Sequence, residues 1–322
     1  MKIITVIIIL LLEWISVYAQ EKSIYNNDYL SPFITNPACT GAEYYPVVRL
    51  SAKKQWLGFS GSPSTYLLAG NFRIGTHDFY NPKGLVNRGP LKIKDRIGLG
   101  AAIFQDNNGP LVNNGGILSY AYHLPVNRKS RLAFGMSVIL INHSISTSML
   151  EPYTSNDPYL FTENNQGFKI NLGTGLYYYN SSYFVGISAT KILRDISNVN
   201  EEERDVSSYF VMGGYKFNKE SNHFSYEPSI TLKKISTTNI IIDLHSKLYI
   251  RRLNWIALSY SSIQRLNIQF AIKLYRKLYA GYNYGLTLSK IASYNYGIHE
   301  ISLGINLGLV GIEGIKNSVD KK

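Results

Sequence analysis

The sequence predicts an all-β protein: a transmembrane antiparallel β-barrel of about 14 strands, of the outer-membrane type. Three observations lead to this fold class. An export signal opens the chain, apolar and polar residues alternate with period two along most of the remainder, and the segments between turns are about ten residues long. Each observation is weak alone, and together they favour a barrel that spans a bilayer.

Residues 1–19 are predicted to be a secretory signal peptide. Lys2 precedes an apolar run at residues 3–12, and Val17 and Ala19 occupy the small-residue positions of a cleavage site. A transmembrane helix would need about 20 apolar residues, so a membrane anchor is the less favoured interpretation. The single cysteine, Cys39, lies too far along to be a lipidated first residue, and it has no second cysteine with which to form a disulfide.

The mature chain is expected to form one continuous architecture, because no Pro- or Ser-rich linker divides it. We expect an N-terminal periplasmic segment with an Asn-Pro-Ala turn at residues 20–44, a β-barrel at residues 45–310 and a basic C-terminal tail at residues 311–322. The net charge of +12 would suggest nucleic acid for a cytoplasmic protein. An exported chain meets lipid phosphates, cell-wall polymers and surface proteins instead, so no nucleic-acid partner is expected.

Alternation of apolar and polar residues places the strands, which are expected to start near residues 45, 64, 96, 115, 131, 168, 183, 207, 223, 239, 254, 265, 278 and 297. No segment of the mature chain shows the 3.6-residue period of a helix convincingly. A sheet with one apolar face would leave that face uncovered in water. Closure in lipid covers the apolar face and removes the sheet edges, and the polar face then lines the lumen.

Connection lengths give an independent indication. Outer-membrane barrels have short periplasmic turns and longer outer loops. Long connections at residues 144–167, 193–206 and 290–296 follow odd-numbered strands, and short links at 179–182, 217–222, 251–254 and 275–277 follow even-numbered ones. The long segment 75–95 breaks this rule, either as a periplasmic excursion or through an error of one in the strand count.

A soluble all-β sandwich is the alternative fold.

Aromatic residues near the expected strand ends fit the girdles that barrels place at both membrane interfaces. They are Trp56, Tyr66, Tyr120, Tyr122, Tyr178 and Trp255.

The sequence contains few motifs that are typical of enzymes. It has no G-x-S-x-G elbow, no H-E-x-x-H pair and no Cys/His cluster, so no enzyme activity, cofactor or metal site is expected. Asp243, His245 and Lys247 share one face of strand ten, where they could approach two charged residues of strand nine, Glu227 and Lys233. This set predicts a salt-bridge network that fills the lumen, with a solute site as the alternative.

Two N-terminal motifs resemble a known family. TNPACTG, at residues 35–41, is similar to the Asn-Pro-Ala-x-x-Gly turn of the PorP/SprF family, and KKQWLGFSGSPST, at 53–65, is similar to that family's following Gln-Trp-x-Gly-Phe-x-Gly-x-Pro block. Further blocks resemble the family in order: GLGAAIFQDNNGPL (98–111), YAYHLP (120–125), YEPSITLK (226–233) and YNYGIHEISLGINL (294–307). Two features depart from the family pattern, namely Cys39 with Thr40, where an aromatic residue is common, and the tail at residues 310–322.

The resemblance implies an outer-membrane component of the type IX secretion and gliding machinery of Bacteroidota, which docks, delivers or anchors secreted surface proteins. The partners it implies are secretion-machinery proteins, surface cargo, outer-membrane lipid and a periplasmic lipoprotein or the cell wall. The alternatives are an outer-membrane channel or transporter for solutes or hydrophobic compounds, and a barrel enzyme such as a lipase or protease.

The motif residues are expected to serve architecture. Asn36, Pro37 and Gly41 would form a turn at the periplasmic rim. Strand one would rise with Gln55 facing inward, until Trp56 anchors it at the outer interface. The chain would then turn into strand two through the remaining motif residues, which are Gly58, Phe59, Gly61 and Pro63.

Overall fold

A computed structural model describes residues 31–43, 46–74, 96–127, 130–146, 166–192, 207–218, 224–235, 239–250, 254–275 and 277–307. The predicted signal peptide (1–19), the long segment 75–95 and the predicted tail (311–322) lie outside the described residues. No helix within the described ranges is long and apolar enough to cross a membrane.

The described residues form fourteen antiparallel strands. The first seven are β1 (Val47–Lys54), β2 (Ser64–Arg73), β3 (Ile97–Asn108), β4 (Leu111–Pro125), β5 (Arg131–Ile145), β6 (Gln166–Tyr179) and β7 (Tyr183–Thr190). The others are β8 (Ser208–Tyr215, continued by a two-residue strand at Phe217–Asn218), β9 (Phe224–Ile235), β10 (Ile241–Ile250), β11 (Asn254–Ser261), β12 (Arg265–Tyr275), β13 (Leu278–Thr287) and β14 (Ile298–Asn306).

Each strand pairs with its neighbours in sequence, and β14 pairs with β1 to close the barrel. The β1–β14 register runs from Val47 opposite Asn306 to Lys54 opposite His299. The all-β barrel prediction is therefore confirmed. The expected strand starts differ from the observed ones by at most four residues, at β4, because apolar–polar alternation is regular enough in a two-faced sheet to fix both start and face.

Alternation along the strands separates a lipid face from a lumen face. Apolar side chains that point outward form an exposed belt, as Ile103 (61%), Leu118 (62%) and Met136 (62%) illustrate on β3, β4 and β5. Their chain neighbours point inward and are buried. One aromatic expectation is wrong: Trp255 lies opposite the buried Ala271 and faces the lumen, so it is not part of a lipid-facing girdle.

The two ends of the barrel differ in their connections. The end at which β1 begins carries short links, such as residues 180–182 and 251–253, and we call it the short-turn end. The opposite, long-loop end carries residues 146–165 and 191–207. The connection from Arg73 to Ile97 belongs to the short-turn end, so the early strand count is correct and this long connection is an exception to the length rule.

Candidate functional site

Residues Ser31 to Glu43, which we call the plug, lie inside the barrel. Two short 3-10 helices, Pro32–Ile34 and Pro37–Cys39, fold this segment into a compact unit, and each has a proline in its first turn. The Asn36 side chain caps the second helix by accepting a hydrogen bond from the Ala38 backbone N–H at 3.0 Å. Residues 31–41 are buried apart from Pro32, which is half-buried, although the segment belongs to no strand.

Four strands hold the plug through hydrogen bonds made by their side chains or backbone carbonyls. The Asn36 Nδ2 group donates to the carbonyls of Leu176 on β6 (3.2 Å) and Ile187 on β7 (3.5 Å). Hydroxyl contacts join Thr40 to Ser119 on β4 at 2.6 Å, and the Ser188 hydroxyl donates to the Thr35 carbonyl at 2.7 Å. The Gly41 N–H donates to Asn71 Oδ1 on β2 at 3.1 Å. The plug therefore spans the lumen from β2 to β7.

A buried histidine, His123, forms a hydrogen bond with the C-terminal part of the plug. His123 Nε2 lies 2.8 Å from the Thr40 carbonyl, which can only accept, so Nε2 carries the proton. Nδ1 lies 3.2 Å from Arg73 Nη2, which can only donate, so Nδ1 accepts; the Tyr179 hydroxyl lies 2.9 Å from the same nitrogen. Arg73 also contacts the Tyr179 hydroxyl. This arrangement suits a neutral imidazole and fixes its tautomer.

Inward-facing glycines make room for the plug backbone. A Cβ added at Gly135 on β5 would overlap the Pro37 and Ala38 backbone, and one at Gly98 on β3 would overlap the Thr40 carbonyl. A Cβ at Gly175 would overlap the Asn36 side chain. Close backbone approach is a recognised reason for glycine within a strand. We call Gly98, Gly135 and Gly175 the cradle glycines.

An apolar cluster completes the contact. Phe33, Ile34 and Cys39 of the plug pack against buried lumen-facing side chains of β2, β3, β4, β5 and β8. Those side chains are Leu67, Ala69, Ala102, Phe104, Ile117, Ile139, Ile141 and Met212. Porin-type lumens are polar, so this half of the lumen resembles the core of a soluble protein.

The predicted polar set lies on the opposite wall, away from the apolar cluster. Lys233 and Asp243 form a buried ion pair at 2.8 Å near the long-loop end. Glu227 lies directly opposite Lys247 nearer the short-turn end, and His245 lies between the two pairs, opposite Ser229. The structure thus brings the five residues onto one wall as two separated pairs with a histidine between them.

A small cleft adjoins the ion pair at the long-loop end. Its volume of about 30 Å³ is enough for roughly two water molecules, since one needs about 10–15 Å³ of such space. Its walls come from seven strands, β1 and β9 to β14, and are mostly polar: Lys53, Gln55, Lys233, Asp243, His245, Ser259, Ser261, Arg265, Asn267, Gln269, Asn283 and Glu300. No group of three or more His, Cys, Asp or Glu side chains in the described ranges is placed to hold a metal ion.

Comparison with known proteins identifies the family. The family described as type IX secretion system membrane protein PorP/SprF matches residues 17–305, which include the plug and nearly the whole barrel. The chain belongs to the PorP/SprF family. It is accordingly an outer-membrane component of the type IX secretion system, and components of that machinery are its partners.

Solved structures with similar folds are distant from this PorP/SprF protein. The Acinetobacter baumannii outer membrane protein Omp33 is 8% identical, with a TM-score of 0.47, over 83% of this chain and 100% of that chain. The Ralstonia pickettii toluene transporter TbuX is 11% identical, with a TM-score of 0.49, over 85% of this chain and 92% of that chain. None of the curated proteins matches the sequence.

The first PorP/SprF motif occupies a place that the sequence did not indicate. Asn36, Pro37 and Gly41 were expected in a turn at the periplasmic rim, and the structure places them in the plug, inside the lumen. Gly41 has a φ of +71°, a conformation in which glycine is favoured. A sequence signal for this arrangement exists, because β2 and β5 carry apolar residues on both faces, which is typical of strands covered on both sides.

The second PorP/SprF motif forms the β1–β2 loop at the long-loop end. Gln55 is buried and lines the polar cleft, and Pro63 is buried where β2 is about to begin. Trp56, Gly58 and Gly61 all have positive φ values, of 50°, 111° and 68°. Phe59 is exposed at the tip of the loop.

Two backbone hydrogen bonds lock this loop to the β13–β14 loop. The Leu57 N–H donates to the Gly297 carbonyl at 3.1 Å, and the Tyr296 N–H donates to the Leu57 carbonyl at 2.8 Å. The absence of a side chain at Gly58 leaves room for the Tyr296 ring, which a Cβ would approach to 3.1 Å. The motif therefore connects two neighbouring loops at the long-loop end.

Proposed function

We propose that this PorP/SprF protein is a non-enzymatic docking component that delivers or anchors secreted surface proteins of the adhesin type. The single observation that supports this proposal over a channel is the occupied lumen, in which the plug contacts β2 to β8. A barrel whose interior is filled by its own chain offers its rims and loops to partners, while solute passage would require the plug to leave.

The chemistry of the contact supports a resident plug. Departure of the plug would expose large apolar side chains such as Leu67, Phe104 and Ile139 to water. The free-energy cost is about 1.5–3 kcal/mol for each fully buried side chain. Departure would also break the hydrogen bonds of Asn36, Thr40 and Gly41. The plug thus acts as the core of this half of the barrel.

The two ends then have different tasks. Short turns face the periplasm and long loops face the exterior in outer-membrane barrels. In this proposal the long-loop end, including the locked outer loops, meets the cargo. The short-turn end meets the secretion machinery, and the same end could be held near a periplasmic lipoprotein or the cell wall.

The test of the docking proposal is deletion of the gene, followed by quantitative proteomics of the cell surface and the culture medium. Loss of one or a few large exported proteins from the surface is the expected result. Loss of all exported proteins would assign the protein to the core machine, and an unchanged exported set would refute the docking proposal.

Conductance measurements test the channel alternative separately. The purified barrel, reconstituted in a planar bilayer, is expected to show no large stable conductance step. A variant lacking residues 31–43, if it folds, provides the comparison for an opened lumen. Large steps in the wild-type protein would favour a channel.

A further inference from the structure

The lumen mouth at the short-turn end is lined by basic side chains. Lys216 and Lys273 lie at the mouth, and four further basic residues lie just within it: Arg49, Arg73, Arg131 and Lys247. Two acidic residues, Glu43 and Glu227, face the same space. These eight residues, which we call the vestibule, carry a net charge of +4.

The strand register shows that the vestibule side chains face the lumen. Arg131 lies opposite the buried Tyr179, and Lys273 lies opposite Tyr279, whose hydroxyl accepts a hydrogen bond from Arg49 at 2.8 Å. Lys216 Nζ lies 4.3 Å from the ring centroid of Tyr249, which is on the lumen face of β10. Lipid headgroups outside the barrel wall cannot reach these groups.

Among the described residues, the two acidic side chains offset only part of this positive charge. Glu43 forms an ion pair with Arg49 at 2.9 Å, and Glu227 lies directly opposite Lys247. Lys247 Nζ also lies over two rings, 4.6 Å from the Tyr249 centroid and 4.2 Å from that of Trp255. Rings stabilise a cation without cancelling its charge, so the mouth keeps a positive potential that low-dielectric walls focus.

The charges are spread around the mouth on β1, β2, β5, β10 and β12 and just beyond the end of β8. Neighbouring strands are about 4.8 Å apart, so opposite walls of this mouth lie too far apart for one small anion to contact them together. An extended chain with several carboxylates can contact several walls at once.

We propose that the vestibule binds an acidic polypeptide segment of a partner protein that approaches from the short-turn side. This inference rests on the proposed docking function, since it names the chemistry of one docked partner. The vestibule charges set the rate and specificity of the encounter, because complementary charge acts mainly on these properties. Binding should weaken as salt rises, because vestibule side chains at the mouth remain in contact with solvent.

The test uses the purified full-length barrel in a neutral detergent and a fluorescent decaglutamate peptide as the probe. Wild-type protein is expected to bind the peptide at low salt and to release it as salt rises. The variant Lys216→Glu/Lys273→Glu is expected to bind the peptide at least about tenfold more weakly, because two attractive charges become repulsive. A neutral Gly/Ser peptide should not bind.

The matched control is Lys54→Glu/Lys234→Glu, which reverses two exposed lysines near the long-loop end. Equal weakening by both double variants would overturn the proposal, because only overall charge would then matter. Displacement of the peptide by a few equivalents of phosphatidylglycerol would also overturn it, in favour of a lipid site. Heat-modifiability on gels checks that each variant is folded, and Lys216→Gln/Lys273→Gln serves if the charge-reversed protein does not fold.

Failure of the vestibule and failure of the docking function give different results. If the vestibule proposal alone is wrong, the double variant displays surface proteins normally and the peptide does not distinguish it from wild type. If docking itself is wrong, gene deletion leaves the exported proteins unchanged even where the peptide binds the vestibule.

Discussion

Two halves of the lumen wall differ in chemistry. From β2 to β8 the inward side chains are mostly small or apolar, and they cover the plug. From β9 through β14 to β1 they are mostly polar or charged, with Lys233 paired to Asp243. A typical barrel has a polar lumen throughout. The difference shows that one wall has become the inner face of a protein core, while the other keeps the character of a water-facing lumen.

The comparison predicts that steric changes will matter most on the plug-bearing half. Gly135→Val is expected to reduce the level of folded barrel severely, because the new side chain would overlap the Pro37 and Ala38 backbone. Overpacking typically costs about 1–3 kcal/mol, and a clash with backbone belongs at or above the top of that range. Heat-modifiability and outer-membrane abundance measure the effect. Gly116→Val is the control, since a Cβ at Gly116 meets nothing closer than 3.7 Å.

Charge changes should dominate on the polar half. Asp243→Asn is expected to destabilise the barrel by about 3 kcal/mol, because it leaves the buried Lys233 ammonium without its carboxylate. Urea unfolding in detergent measures the change. The double variant Lys233→Met/Asp243→Leu should recover most of this loss, because it buries no unpaired charge. A double variant as unstable as the single one would show that the ion pair itself, and not the orphaned charge, is the source of stability.

Loss of the plug's polar anchor should have a smaller effect. Asn36→Ala removes a helix cap and the hydrogen bonds to Leu176 and Ile187, so we expect a loss of about 2 kcal/mol. The same urea titration applies, with Asn108→Ala at the exposed end of β3 as the control. An effect no larger than that of the control would mean that apolar contacts alone hold the plug.

The smallest expected effect lies in the two joined loops at the long-loop end. Gly58→Ala should cost about 1 kcal/mol, because alanine is strained at a φ of +111° and its Cβ crowds the Tyr296 ring. Gly109→Ala is a matched control, since Gly109 also has a positive φ, +59°, but its Cβ would meet nothing within 4 Å. Equal costs would show that backbone strain, and not the contact between the loops, accounts for the loss. Cargo display should stay normal wherever the barrel reaches normal levels.

The sequence predicted the barrel well because its signal is local and periodic. Alternation defines which face of a strand meets lipid, and it placed β2, β7 and β11 to β13 within one residue of their starts. The position of the plug inside the lumen could not be predicted in this way. The plug has no period, and its contacts join Asn36 to Leu176 and Ile187, which lie 140 and 151 residues away in the chain.

Part of the polar half of the lumen wall was also predicted, because local alternation shows which residues of a strand face the lumen. Register between β9 and β10 brought Glu227, Lys233, Asp243, His245 and Lys247 to one wall, as the alternation indicated. The residues contributed by other strands, such as Arg265 and Glu300 in the cleft, depend on closure of the whole barrel. Barrel curvature and the distance between walls leave no trace in a single strand's sequence.

Alkylation of Cys39 tests the position of the plug most directly. Cys39 is 4% exposed in the plug, and burial, with a smaller contribution from the nearby Glu43 carboxylate, raises the pKa of its thiol, so little reactive thiolate forms. A maleimide reagent should therefore leave the protein in native outer membranes almost unlabelled and should label it fully after unfolding. An exposed cysteine at position 60, introduced as Ser60→Cys in a Cys39→Ser background, shows that the reagent reaches the protein. Rapid and complete labelling of Cys39 in native membranes would contradict a resident plug.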